Sequence, residues 1–317
     1  MMRRILLITL LVSFVFSVSV HANGEISGNV DKETFVYSNR GGVSLQLDKY
    51  RLKKSEEKQA CVIFLFGGSF RGGVRDGDDF LKYYDFLVNQ GYTVLAIDYR
   101  LGLKGMRDPD LEKIIPALGN AIYMAVEDLY DATNYALQHA SDWSIDPEKI
   151  IITGSSAGAI TVLQAEYECN RQSAISKKLP AGFKYAGVIG FAGAIFSQGE
   201  MKWTGKAAPM LFFHGDMDAT VPFSKLGIAD MQFCGSQVIA EQLKAAGSPY
   251  CLYQVSGSKH EISSGPMKYN LPEIQRFISL FVENKQPLMI HSVIDTIGKQ
   301  SDVTSLTLED FIKNNFK

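Results

Sequence analysis

A doubly wound α/β fold, with a mostly parallel sheet and an antiparallel hairpin at its N-terminal edge, is predicted by three features of the sequence. Short, continuous apolar runs recur at 60–66 (ACVIFLF), 93–97, 149–153, 185–191, 209–213 and 250–255. Runs of this length without polar alternation suit strands covered on both faces, as in a parallel sheet. Helical patterns lie among them at 80–89, 120–140, 159–169, 236–246 and 272–283, which implies βαβ crossovers. Residues 34–52 instead alternate around Asn39-Arg40-Gly41-Gly42 and read as a hairpin.

Punctuation agrees with these elements. Gln90-Gly91 closes one helix, Ala246-Gly247 closes another, and Asp146-Pro147 turns the chain into a strand. The predicted organisation is a leader at 1–22, one α/β domain at 23–285 and a C-terminal extension at 286–317. The extension reads as a polar appendage with one short helix at 306–314.

The leader begins Met1-Met2-Arg3-Arg4, runs apolar from 5 to 20 and ends His21-Ala22-Asn23. A basic start, an apolar stretch and small residues at the end are the pattern of a cleavable signal peptide. The expectation is export to the periplasm or beyond, without a stable membrane anchor. With 32 basic and 34 acidic residues the chain carries a net charge of −2. That balance favours neither nucleic acid nor an anionic membrane as partner. Cys61, Cys169, Cys234 and Cys251 form no CxxC pair and no Cys/His cluster at ligand spacing, so no metal is expected. Cys61 and Cys251 read as buried small hydrophobes. Export leaves Cys169 and Cys234 as a candidate disulfide.

Chemistry concentrates at Gly154-Ser155-Ser156-Ala157-Gly158. A serine hydroxyl becomes a useful nucleophile when a neighbouring base takes its proton, and the oxyanion that follows needs fixed donors. Ser156 directly follows a predicted buried strand and directly precedes a predicted helix, the setting of a nucleophile elbow. Gly154 and Gly158 permit the tight backbone approach such a turn requires. A glycine-rich turn with incidental serines is the bland alternative, which the strand–helix context opposes.

A base and an acid must then follow. His139 ends a long helix, His214 ends a strand where it braces the next turn, and His291 lies in the tail. His260 follows the last apolar strand through Gly257-Ser258-Lys259, at the carboxyl edge of the sheet where ligands bind. It is the favoured base. The segment 214–222 (HGDMDATVP) offers Asp216 and Asp218 as acids in a loop after a strand. Phe66-Gly67-Gly68-Ser69-Phe70 follows another strand, where a loop of small residues can aim N–H groups at an acyl oxygen together with the N–H of Ala157. The loop has no Gly-Lys-Ser/Thr ending and no GxGxxG, so a nucleotide site is poorly supported and no cofactor is expected.

In this order, FGGSF at 66–70, DYRL at 98–101, GSSAG at 154–158, HGDMDATVP at 214–222 and His260 resemble the α/β-hydrolase superfamily. Within it they resemble carboxylesterases related to hormone-sensitive lipase and to secreted polysaccharide esterases. The resemblance spans roughly 36–284. It implies the α/β-hydrolase fold and assigns the acid to Asp218. By position it makes the N–H groups of Gly68 and Ser69 the oxyanion donors. Asp98 and Arg100 match a structural turn of that superfamily. Phe66 stands where its members usually carry His, and Ser69 where they carry a third glycine, so bracing of the loop by a His side chain is lost.

The expected activity is hydrolysis of a small-molecule or polysaccharide-linked ester through an acyl-enzyme on Ser156, with His260 as base and Asp218 orienting it. A peptidase of the prolyl-oligopeptidase kind shares the elbow and the acid loop. A catalytically inactive binding protein on the same fold is the third reading. Residues 195–208 are expected to overhang the site as a small cap and 101–116 to wall it. Phe70, Trp203 and Phe223 are candidate substrate-facing aromatics.

Overall fold

The structure is a computed structural model that describes residues 26–53, 57–106, 111–228, 230–295 and 306–316. The expected leader at 1–22 lies outside them. Nine strands form one sheet: β1 (Val30–Arg40), β2 (Val43–Leu52), β3 (Gln59–Leu65), β4 (Thr93–Ile97), β5 (Ile145–Ser155), β6 (Gly187–Phe191), β8 (Met210–Gly215), β11 (Tyr250–Val255) and β12 (Met289–Ile294). Their order is β1-β2-β4-β3-β5-β6-β8-β11-β12. β1 and β2 pair antiparallel, as do β2 and β4, and every other pairing is parallel. The predicted hairpin turns at Gly41 and Gly42, whose φ values of +55° and +78° suit a two-residue turn with both central residues left-handed.

β3 to β5 are buried along most of their lengths because the helices that connect and follow them pack back onto the sheet. These are α1 (Asp78–Asn89), α2 (Leu111–Gln138) and α3 (Ala157–Asn170). From β3 the chain steps outward through α1 to β4, then crosses back through α2 to β5 on the other side of β3. That reversal opens a crevice at the carboxyl ends of β3 and β5, where ligands bind in open parallel sheets.

Three regions differ from the sequence expectation. α2 starts at 111 and not 120: it runs through Pro116, and Gly119 packs against the Phe196 ring, where a Cβ would lie 3.0 Å from Cε1. Residues 194–198 are not merely an overhang. They form β7 (Ala194–Gln198), which joins β10 (Met231–Gly235) and β9 (Lys225–Ile228) in a second, antiparallel sheet of order β7-β10-β9. The described residues of the C-terminal extension are not an appendage: β12 extends the main sheet parallel to β11, and α7 (Leu308–Phe316) packs on the molecule with Phe311 buried. The expected helix at 236–246 is present as α4 (Ser236–Ala245), and after a single turn α5 (Pro266–Tyr269) that at 272–283 runs as α6 (Leu271–Phe277) into a wider π-helical turn at 278–283. The candidate Cys169–Cys234 bridge is not formed. Both are free thiols, Cys169 sharing a 3.3 Å hydrogen bond with the Tyr130 hydroxyl and Cys234 buried in β10.

α3 is buried almost throughout, which forces its polar side chains to find partners. Gln164 accepts from Phe196 N–H at 2.9 Å and donates to Glu168 at 2.9 Å, and Glu166 accepts from Ala208 N–H at 2.9 Å. These bonds pin both ends of the 194–208 segment to the nucleophile helix. Burial pushes the Glu166 carboxyl up to about 7, with the Ala208 hydrogen bond opposing. A carboxyl whose folded value is raised contributes stability below its unfolded value and loses it as pH rises towards the folded one. Wild-type stability should therefore fall between about pH 4.5 and 7. Glu166→Gln, which keeps the acceptor without the charge, should flatten that part of the stability–pH curve in denaturant unfolding. Identical curves for the two proteins would contradict the assignment.

Candidate active site

The nucleophile turn is built from backbone conflicts that only glycine relieves. β5 ends at Ser155, and Ser156 turns the chain at φ +52°, ψ −115°, a conformation costly for a side-chain-bearing residue. The Ser156 N–H is fixed by the Phe191 carbonyl at 2.9 Å, and its own carbonyl takes the Ile160 N–H at 2.9 Å to open α3. A Cβ on Gly154 would sit 2.3 Å from the Gly158 carbonyl carbon, and one on Gly158 would sit 2.2 Å from the Leu65 oxygen. These contacts press β5, α3 and the end of β3 together. Since the clashing atoms are backbone, Gly158→Ala is expected to cost about 3 kcal/mol or more, the upper range for overpacking. The shift in denaturant midpoint measures it, and a change under about 1 kcal/mol would show that the turn can relax.

The structure brings together the three residues picked from the sequence. Ser156 Oγ lies 2.8 Å from His260 Nε2, and His260 Nδ1 lies 2.7 Å from Asp218 Oδ2. The carboxylate can only accept, so Nδ1 carries the proton and Nε2 is left to accept from the serine hydroxyl. Asp218 is itself held by the N–H groups of Thr220 at 2.8 Å and Val221 at 3.0 Å on Oδ1. Burial by itself would push its carboxyl up, but hydrogen bonds from His214 and His260 outweigh that and hold it well below the usual carboxylate range. The acid is thus an anion placed to orient and stabilise a charged imidazole.

The alternatives fall elsewhere. Asp216 accepts from Gly257 N–H at 2.7 Å and Gln254 at 3.0 Å, tying the acid loop to the loop that carries His260. His214 is buried: its Nε2 faces the Val221 carbonyl at 3.1 Å, so it is protonated there, and Nδ1 accepts from Ser236 at 2.8 Å. It braces the turn, as its position at a strand end implied. His139 stacks on Trp143, and His291 meets Gln254 at 3.0 Å on β12. Ser155 Oγ donates to the Ser263 carbonyl at 2.8 Å and so holds the loop after His260. Gly215 packs where a Cβ would lie 2.3 Å from the Ser258 oxygen, so the loops bearing Asp218 and His260 touch through backbone.

Ser69 and Ala157 line one small cavity with Ser156, together with Phe70, Leu103, Leu118, Ile160, Val221, Phe233 and Phe311. Gly68 is not among the residues lining it. As the first residue of α3, Ala157 has an N–H with no partner inside the helix, available to an oxyanion. Gly68, Ser69 and Phe70 all adopt positive φ (+135°, +52° and +57°), so the loop after β3 is held in a strained path. The bracing that a His at 66 would give is supplied otherwise: Phe66 stacks on Tyr99 with centroids 4.5 Å apart, and the Tyr99 hydroxyl donates to the Phe66 carbonyl at 2.8 Å. Tyr99 is fixed in turn by its neighbours. Asp98 pairs with Arg75 at 2.7 Å, and Arg100 pairs with Asp128 at 2.8 Å. Of the proposed aromatics, Phe70 faces the cavity, Trp203 packs edge-on against Tyr167, and Phe223 packs against His214. Among the described residues no group of three or more His, Cys, Asp or Glu could hold a metal ion.

An ordered Ser–His–Asp set lies on the carboxyl edge of a doubly wound sheet, with its serine on a strand–turn–helix elbow, and the chain has the α/β-hydrolase fold. Residues 47–195 match the BD-FAE family model. A curated relative, gut esterase 1 of Caenorhabditis briggsae, is 29% identical over 120 residues, which are 38% of this chain and 20% of that protein. The chain therefore matches about a fifth of that relative's length. Solved structures of Thermogutta terrifontis esterase 2 share the fold. The form phosphoramylated by tabun superposes with a TM-score of 0.59 at 20% identity, covering 79% of this chain and 94% of that one. The butyrate-bound form gives 0.58 at 22% identity, covering 82% and 96%.

Proposed function

We propose that this protein is a serine hydrolase that cleaves carboxylic esters through an acyl-enzyme on Ser156. The observation that carries the reading is the continuous hydrogen-bonded line from Ser156 Oγ through His260 to Asp218, at 2.8 and 2.7 Å. In the first half-reaction His260 Nε2 takes the hydroxyl proton as Oγ attacks the ester carbonyl, and the Ala157 and Ser69 N–H groups receive the oxyanion. His260 then returns the proton to the departing alcohol. In the second half-reaction it deprotonates the water that attacks the acyl-serine. The BD-FAE match and the esterase names among similar proteins support ester over amide bonds.

A panel of nitrophenyl acetate, butyrate and longer esters, set beside dipeptidyl amides, tests the reading. Turnover of esters with little or none of amides is expected. Amide turnover at comparable kcat/KM would favour the peptidase alternative, and no turnover of either would favour a binding protein. The basic and apolar character of the first 22 residues supports export before action, on an ester outside the cytoplasm. A secreted protein whose sequenced N-terminus retains Met1 would overturn that part.

A further inference from the structure

We propose that the C-terminal helix α7 belongs to the substrate site, with Phe311 as the residue that sets how large a group is accepted beside Ser156. Nothing in the hydrolytic chemistry requires this helix, yet Phe311 and Asn315 line the same cavity as Ser156, Ser69 and Ala157. The Phe311 ring is 4% exposed and packs on Phe233 of β10 with centroids 5.5 Å apart. Phe233 in turn packs on Phe196 of β7 at 5.0 Å, so the second sheet and α7 close the cavity from the same side. What remains open next to the nucleophile is about 20 Å³, room for about one water molecule. A large acyl or alkoxy group entering this cavity presses on these walls, Phe311 among them.

Other contacts fix the helix against the acid loop. Asn314 donates to the Ala219 carbonyl at 3.1 Å and Asn315 to the Thr220 carbonyl at 2.9 Å, immediately beyond Asp218. At the start of the helix the Asp310 N–H meets Thr307 Oγ1 at 3.2 Å and the Thr307 N–H meets Asp310 Oδ2 at 3.2 Å. This reciprocal cap fixes where α7 starts. Among the described side chains of this helix Phe311 is the buried one, and it lines the cavity beside Ser156, so removing the ring opens space there.

The inference rests on the serine-hydrolase reading of Ser156, and its test separates the two. Two ester series are measured on the full-length protein: acetate to octanoate with nitrophenol as leaving group, and acetates of increasingly large alcohols. Phe311→Ala should raise the kcat/KM ratio of the largest to the smallest substrate by about tenfold or more in one series, the scale of pocket discrimination. Labelling of Ser156 by a small fluorophosphonate shows in each variant that the triad is assembled. Phe311→Leu, which keeps an apolar contact with Phe233, should move the same ratio less and serves if the alanine variant does not fold. If wild type turns over ester but neither variant shifts either ratio, or all substrates slow equally, Phe311 is structural packing and the proposal fails alone. If wild type neither turns over ester nor takes the label, the hydrolase reading fails and the proposal falls with it.

Discussion

Replacing Ser156 by alanine is expected to lower ester kcat by on the order of 10^6-fold, the loss seen when the nucleophile of such a triad is removed. The magnitude follows from the proposed mechanism: without Oγ no acyl-enzyme would form, and only transition-state binding by the cavity and its N–H donors would be left to assist water. The fold should survive, because the turn is held by backbone bonds from Ser156 N–H to Phe191 and from Ile160 N–H to Ser156, which alanine keeps. Loss of the hydroxyl's bond to His260 changes stability by about 1 kcal/mol. Full activity with matching circular dichroism would place the nucleophile elsewhere. Ser155 is the informative control, since its hydroxyl serves the Ser263 carbonyl and its removal should leave labelling of Ser156 intact.

Asp218→Asn is expected to lower kcat by roughly 10^4-fold with a much smaller effect on KM. The isosteric amide can keep the Thr220 and Val221 N–H bonds, but it no longer compels a proton onto His260 Nδ1. The imidazole is then free to present a proton, and not a lone pair, to Ser156. The change also has a stability signature. Asp218 is held below its usual range, so its contribution is present above the unfolded value near 3.9 and is lost as pH falls below it. Wild type should thus lose stability below about pH 4 more steeply than Asp218→Asn. A rate within tenfold of wild type would assign the orienting role to another group, with Asp216→Asn as the comparison. Asp216, engaged with Gly257 and Gln254, should affect stability more than kcat.

The sequence made the catalytic face legible because its constraints are local. An elbow needs a strand, two glycines and a helix within about twenty residues, and 149–169 carries all of them. His260 could be chosen over three rivals because it alone followed a strand through a flexible loop at the carboxyl edge. Asp218 could not be separated from Asp216 by local pattern. The separation came from the resemblance, and the physical difference is that Asp216 is spent on cross-loop hydrogen bonds. What faced the substrate was much harder to read. β9 and β10 are short, and the pairing of β10 with β7 joins residues more than thirty positions apart. β12 is an edge strand with Met289, Val293 and Ile294 exposed, so it carries no buried alternation. α7 sets Leu308, Phe311 and Ile312 on one face, Phe311 buried and the other two partly so, which marks a short helix but not where it docks. A Thr-x-x-Asp pair at 307–310 was the local signal that a capped helix begins there.

That division has a physical reason. The bond-breaking groups are set by the sheet's switch point and by backbone contacts that tolerate only glycine, both of which leave marks in short stretches of sequence. The walls of the cavity are assembled from chain-distant positions at 103, 118, 220–222, 233, 311 and 315. Their sizes can be read only once the fold has brought them together.

The most direct test of the central claim is covalent labelling with a fluorophosphonate followed by peptide mapping in a mass spectrometer. The structure predicts a single adduct on Ser156, whose rate of formation collapses in His260→Ala although the variant remains folded. An adduct on Ser155, or an unlabelled protein beside a labelled control hydrolase, would contradict it.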